Sequence, residues 1–185
     1  MKKWWFIGWI LFLTKLSFSQ DSCLPRYDLP VKHLLVAENI KMAYVEKGKG
    51  ETIICIHGLG GNLSHWQKNI SELSAKFHCI AVDLPGYGHS DKSFSTDKDQ
   101  LQFYADAIQN FLEKRNLKRV VLAGHSMGGQ IATILALQQP HLISKLILVA
   151  PAGLETFTEA EAKMMTAATP ATVFEKQDES VIRYN

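Results

Sequence analysis

The chain has 185 residues, 46% of them hydrophobic and 21% charged, with a formal net charge of +2. That is enough for one globular domain with a real core and too little for two large ones. Lys2, Lys3 and Lys15 fall in the first nineteen residues, which hold no Asp or Glu, so 17 basic residues stand against 18 acidic ones beyond them. No basic field is left to attract nucleic acid or anionic lipid, and nucleic-acid partners are set aside.

Residues 1–19 read as a secretory signal peptide. Lys2-Lys3 make a positive start, Trp4 to Leu13 an apolar run, and Ser17-Phe18-Ser19 puts small residues where a signal peptidase reads. Cleavage before Gln20 and export, to a periplasm or outside the cell, are therefore expected. The apolar run falls short of the ~20 residues that span a bilayer, so no stable membrane span is expected after cleavage. Lys15 weakens the signal, and the alternatives are an uncleaved anchor or a lipoprotein acylated at Cys23. Gln20-Asp21-Ser22 is a poor lead-in for the latter. Cys55 and Cys79 sit inside apolar runs, where buried free thiols are expected, although pairing among the three cysteines stays open. No Cys/His spacing resembles a metal site, and no cofactor is expected.

Val31–Ala37 and Ile40–Glu46 lean to β structure around Glu38-Asn39, a hairpin pattern. Thr52–Ile56 is a continuous apolar run that suits a strand buried on both faces, and it ends at His57-Gly58. Trp66–Phe77 has helical spacing. His78–Val82 is a second buried run and stops at Asp83-Leu84-Pro85-Gly86. Asp99 to Asn116 is the clearest helix, with Phe103, Ala107, Ile108, Phe111 and Leu112 on one face. Lys118–Ala123 is a third buried strand, Gln130–Gln138 a helix ending before Pro140, and Leu146–Val149 a fourth apolar strand. Buried strands alternating with helices predict an α/β fold, a mostly parallel sheet with helices on both faces. The character changes after residue 154, where an amphipathic Glu155–Met165 is followed by Thr169-Pro170 and a polar tail.

Three loops carry the chemistry. Gly124-His125-Ser126-Met127-Gly128 follows a buried strand and opens a helix, the placement of a nucleophile elbow. Such a turn lifts Ser126 above the sheet, needs small residues at 124 and 128 for close backbone approach, and leaves the serine at a helix N-terminus that favours negative charge. His57-Gly58-Leu59-Gly60-Gly61 can aim backbone N–H groups at a carbonyl oxygen, or be a plain strand-to-helix turn. Asp83-Leu84-Pro85-Gly86-Tyr87-Gly88-His89-Ser90 is a rigid loop on the same edge of the sheet.

In this order and spacing the three motifs resemble the α/β-hydrolase fold superfamily, most closely its lipase- and esterase-like members, over about Val31 to Gly153. The resemblance implies that Ser126 is the nucleophile, that the backbone N–H groups of Leu59 and Met127 form the oxyanion hole, and that His57 braces its loop. A serine at 126 counts against the epoxide hydrolases and haloalkane dehalogenases of the same fold. Beyond the signal peptide at 1–19, the chain is expected to divide into an N-terminal part of the hydrolase core over 20–154 and the start of a helical cap over 155–185.

The family places its acid after a later strand and its catalytic histidine after the last one, in the order Ser, Asp/Glu, His. Downstream of Ser126 stands His141, which precedes its strand and so belongs at the opposite edge of the sheet from the serine. His125 is locked in the elbow, and Glu155 and Glu159 read as cap surface. The acid and base are thus expected to be missing from this chain, and the sheet to be truncated before its last strands. The function expected is hydrolysis of a carboxylic ester or related acyl bond in a small-molecule substrate through a Ser126 acyl-enzyme, with the chain alone inactive. The alternative is a non-catalytic, ligand-binding relative or an inactive truncated product.

Overall fold

The computed structural model describes residues 25–92, 99–154 and 158–159. The signal peptide, Cys23, Glu155 and nearly all of the expected cap lie outside the described residues.

Strands β1 (Lys32–Ala37), β2 (Ile40–Lys47), β3 (Thr52–Ile56), β4 (His78–Val82), β5 (Val120–His125) and β6 (Ile143–Val149) form one sheet in the order β1-β2-β4-β3-β5-β6. β1 and β2 are an antiparallel hairpin, and β2 joins β4 antiparallel. β4, β3, β5 and β6 run parallel, so the loops after β3, β4 and β5 leave from one end of the sheet. This is the mostly parallel α/β sheet read from the sequence.

The central strands are apolar along their middles because each is covered on both sides. On one face Ile54, Ile56, Ile80, Val82 and Leu122 pack against helices α2 (Gln100–Lys114) and α3 (Met127–Gln138). On the other, Ile53, Cys55, Cys79, Ala81 and Val121 pack against a 3-10 turn (Leu63–Trp66) and α1 (Gln67–Leu73). Alternate residues of one strand thus serve two cores, as pleating requires. Cys55 and Cys79 are free and buried, as expected, and burial pushes both thiols up in pKa, with Cys79 adding to the effect on Cys55.

Several boundaries differ from the sequence reading. The expected helix over Trp66–Phe77 stops at Leu73. The chain there turns tightly because Gly48 is pressed against it, with a Cβ on Gly48 falling 2.1 Å from the Phe77 carbonyl oxygen. α2 starts where expected, since the Asp99 carboxylate accepts from the Leu101 and Gln102 N–H groups, an N-cap. Its buried stripe includes Tyr104 and Ala105, with Phe103 only partly covered. β6 begins three residues before Leu146, at Ile143, which pairs with Val120, and Lys145 in this added stretch pairs with Glu51 at 2.9 Å. α3 begins at Met127, not Gln130. Gly128 and Gly129 thus belong to its first turn.

Candidate active site

The elbow forms where β5 passes into α3. Ser126 has φ 50° and ψ −120°, a positive φ that non-glycine residues rarely hold. Neighbouring backbone over-determines it. The Ser126 N–H donates to the Val149 carbonyl at 3.0 Å, and the Ser126 carbonyl accepts from the N–H groups of Gly129 (2.9 Å) and Ala152 (3.1 Å). The two glycines of the motif are sterically required. A Cβ on Gly124 would lie 2.3 Å from the Gly128 carbonyl oxygen, and one on Gly128 would lie 2.4 Å from that of Ile56. The helix therefore packs directly on the end of β3, and a side chain at either position would force it off.

The loop after β3 lies against the serine. A Cβ on Gly58 would stand 3.1 Å from the Ser126 Cβ and 3.2 Å from the His125 Nδ1. Gly58 to Gly61 is a tight turn closed by the Gly61 N–H on the Gly58 carbonyl at 3.1 Å, with Gly60 at φ 70°. Leu59 occupies the second position of that turn, whose N–H the turn does not use, and its side chain is exposed. Met127 is the first residue of α3, so its N–H has no helical acceptor.

His57 is fully buried and braces this loop. Its Nε2 accepts from the Leu84 N–H at 3.1 Å, so Nδ1 carries the proton and donates to the Gly58 carbonyl at 2.8 Å. Burial lowers its pKa to about 4, against a smaller rise from the Gly58 bond and Asp83. The imidazole is neutral and has no lone pair to spare. The loop after β4 turns on Asp83, also fully buried, whose carboxylate accepts from the N–H groups of Leu63 and His89 and from the Tyr27 hydroxyl, each at 2.7 Å. Sequence reading saw this loop as rigid but missed that Asp83 anchors the loop over Ser126. The buried run ending in an aspartate was the available signal.

Three further histidines, His141, His89 and His78, make no bond to Ser126. His141 is exposed and precedes the Ile143–Val120 pair, whereas Ser126 follows the His125–Val149 pair, so the two lie at opposite ends of the strands. His89 Nε2 donates to the Pro25 carbonyl at 2.7 Å, and His78 binds Glu46 at 3.0 Å. Among the described residues no hydrogen bond joins an imidazole to Ser126, and no cluster of three or more His, Cys, Asp or Glu side chains could hold a metal ion. No helix among them is long and apolar enough to cross a membrane.

A serine on a strained strand-to-helix turn, at the carboxyl end of a mostly parallel sheet and beneath a glycine-rich loop, is the architecture of an α/β hydrolase. The chain belongs to that family: the profile described as alpha/beta hydrolase fold matches residues 51–185. It is 36% identical over 125 residues to YugF, an uncharacterised hydrolase of Bacillus subtilis (strain 168), covering 67% of this chain and 45% of that one. It is 33% identical to the (E)-2-((N-methylformamido)methylene)succinate hydrolase of Acinetobacter baylyi, covering 74% of this chain and 51% of the relative. Among solved structures a bacterial membrane phospholipase A superposes with a TM-score of 0.68 at 31% identity, covering 77% of this chain and 46% of that one. The chain spans about half the length of these relatives.

Proposed function

We propose that the protein is a serine hydrolase that cleaves a carboxylic ester or related acyl bond of a small molecule through an acyl-enzyme on Ser126. The observation that carries this reading is the pairing of a strained Ser126 with the Gly58–Gly61 turn packed on it. The Ser126 Oγ attacks the acyl carbon and gives its proton to a general base. The resulting oxyanion is met by the N–H groups of Leu59 and Met127. Collapse expels the alcohol, which takes the proton from the base, and water then releases the acid by the same steps in reverse order.

The base and its orienting acid are assigned to the rest of the full-length protein. Two observations favour this. His57 is committed at both ring nitrogens, and His141 lies at the far end of the strands. The test uses the full-length protein and a fluorophosphonate probe. Labelling should map to Ser126, and Ser126→Ala should abolish it and lower turnover of a short p-nitrophenyl ester by orders of magnitude. Equal labelling of the Ala variant refutes the assignment.

A further inference from the structure

The segment before β1 crosses the catalytic end of the sheet. The Tyr27 hydroxyl donates to the Asp83 Oδ2 at 2.7 Å, and the Tyr27 ring stacks at a tilt on His89, 4.8 Å between centroids. The segment is tied down just before that contact, by His89 Nε2 on the Pro25 carbonyl at 2.7 Å and Gln67 Nε2 on the Arg26 carbonyl at 3.3 Å. Asp83 is the centre of this arrangement. Its Oδ1 takes the Leu63 N–H, and its Oδ2 takes both the Tyr27 hydroxyl and the His89 N–H. The fit is tight, since a Cβ on Gly88 would fall 2.0 Å from the Asp83 Oδ2.

Leu63 ends the loop whose other end is β3 and whose middle carries Leu59. A buried carboxylate is held in one orientation only while its donors are complete. We propose that Tyr27 is a positioning residue: through Asp83 and Leu63 it fixes the height of the 57–61 turn above Ser126, and so the aim of the Leu59 N–H at the developing oxyanion. Nothing in this requires Tyr27 to touch substrate. Burial and the neighbouring Asp83 both push its phenol pKa up, so the hydroxyl stays protonated and donating.

This inference rests on the serine-hydrolase reading. The experiment compares Tyr27→Phe, Gln67→Met and Ser126→Ala in the full-length protein. It measures kcat and KM on a short p-nitrophenyl ester and the affinity of a trifluoromethyl ketone, whose adduct oxygen occupies the oxyanion position. A small misplacement of an oxyanion donor is felt mainly in the transition state, so Tyr27→Phe should lower kcat about tenfold. Ketone affinity should fall in parallel while KM stays within about twofold. Gln67→Met loosens the same segment without touching Asp83 and should act in the same direction by a smaller factor. If Tyr27→Phe does not fold, Gln67→Met decides. Unchanged kcat and ketone affinity in the folded variants, with Ser126→Ala inactive, overturn the positioning role and leave the hydrolase reading standing. Full turnover in Ser126→Ala overturns both.

Discussion

At the scale of single residues, backbone contact at Gly128 and free space at Gly60 make opposite demands on a methyl group. Alanine at 128 would meet the Ile56 and His57 carbonyl oxygens at 2.4 and 2.5 Å, rigid backbone that has nowhere to go. Alanine at 60 meets nothing within 4 Å, and only the positive φ of 70° opposes it. Gly128→Ala should therefore cost about 3 kcal/mol by overpacking, and Gly60→Ala about 1 kcal/mol for the left-handed backbone. Urea denaturation of the two variants checks the order, and equal losses would contradict the close packing of α3 on β3. His57 gives a second, pH-dependent consequence. Its folded pKa, lowered by burial to about 4, lies below the ordinary value of 6.5, so between these values the unfolded chain binds more protons. The stability this group contributes is present above pH 6.5 and is lost as the pH falls toward 4, by about 3 kcal/mol in full. His57→Gln should flatten the stability–pH slope in that window. A slope identical to that of the parent protein would rule the group out as its source.

At the scale of elements, one carboxylate joins the hairpin to the rest. Glu46 on β2 accepts from Lys32 on β1 at 2.8 Å, His78 on β4 at 3.0 Å and Arg115 just past α2 at 2.8 Å. The Arg115 guanidinium also lies over the Tyr44 ring, 5.0 Å from its centroid. Burial alone would raise the Glu46 pKa, but the bonds from Lys32, Arg115 and His78 outweigh it and hold the group at about 2. A depressed carboxylate stabilises above its ordinary pKa of 4.5 and loses that contribution as the pH falls toward 2. With solvent screening discounted, Glu46→Gln should cost about 1–2 kcal/mol at neutral pH and almost nothing near pH 2. Thermal unfolding at the two pH values checks the sign. This junction was not legible in the sequence, because Lys32, Glu46, His78 and Arg115 carry no shared pattern. β3, β4 and the elbow were legible, since a strand buried on both faces admits only apolar residues and ends abruptly where the polar loop begins. Helix starts were legible only where a capping side chain announced them, as Asp99 does. At Met127 the glycines of a close helix–strand contact imitate a turn. Asp83 was visible as a residue and invisible as an anchor, because its donors come from residues 27, 63 and 89.

At the scale of the whole molecule, the described sheet has unequal sides. The hairpin strand β1 closes one side, and α2 packs along it with Lys114 donating to the Leu35 carbonyl at 2.8 Å. On the other side β6 leaves Leu146, Ile147, Leu148 and Val149 between 36% and 45% exposed, an apolar strand with an open ladder. Residues 20–185 made by themselves should therefore be poorly soluble and prone to associate through that strand. They should also hydrolyse a short acyl ester only weakly, because Ser126 needs a base within hydrogen-bond reach, itself oriented by a third group. His57 has both nitrogens occupied, and His89 is bound to the Pro25 carbonyl beneath the segment that holds Tyr27. His141 is a strand length away. The proposed oxyanion donors could by themselves support a trace of activity, so the comparison that decides is between residues 20–185 and their Ser126→Ala, His57→Ala, His89→Ala and His141→Ala variants. Weak activity that none of the histidine changes abolishes is the expected outcome. Robust turnover lost with any one of the three would mean that this part of the chain had recruited its own base, and the assignment of the base to the rest of the full-length protein would be wrong.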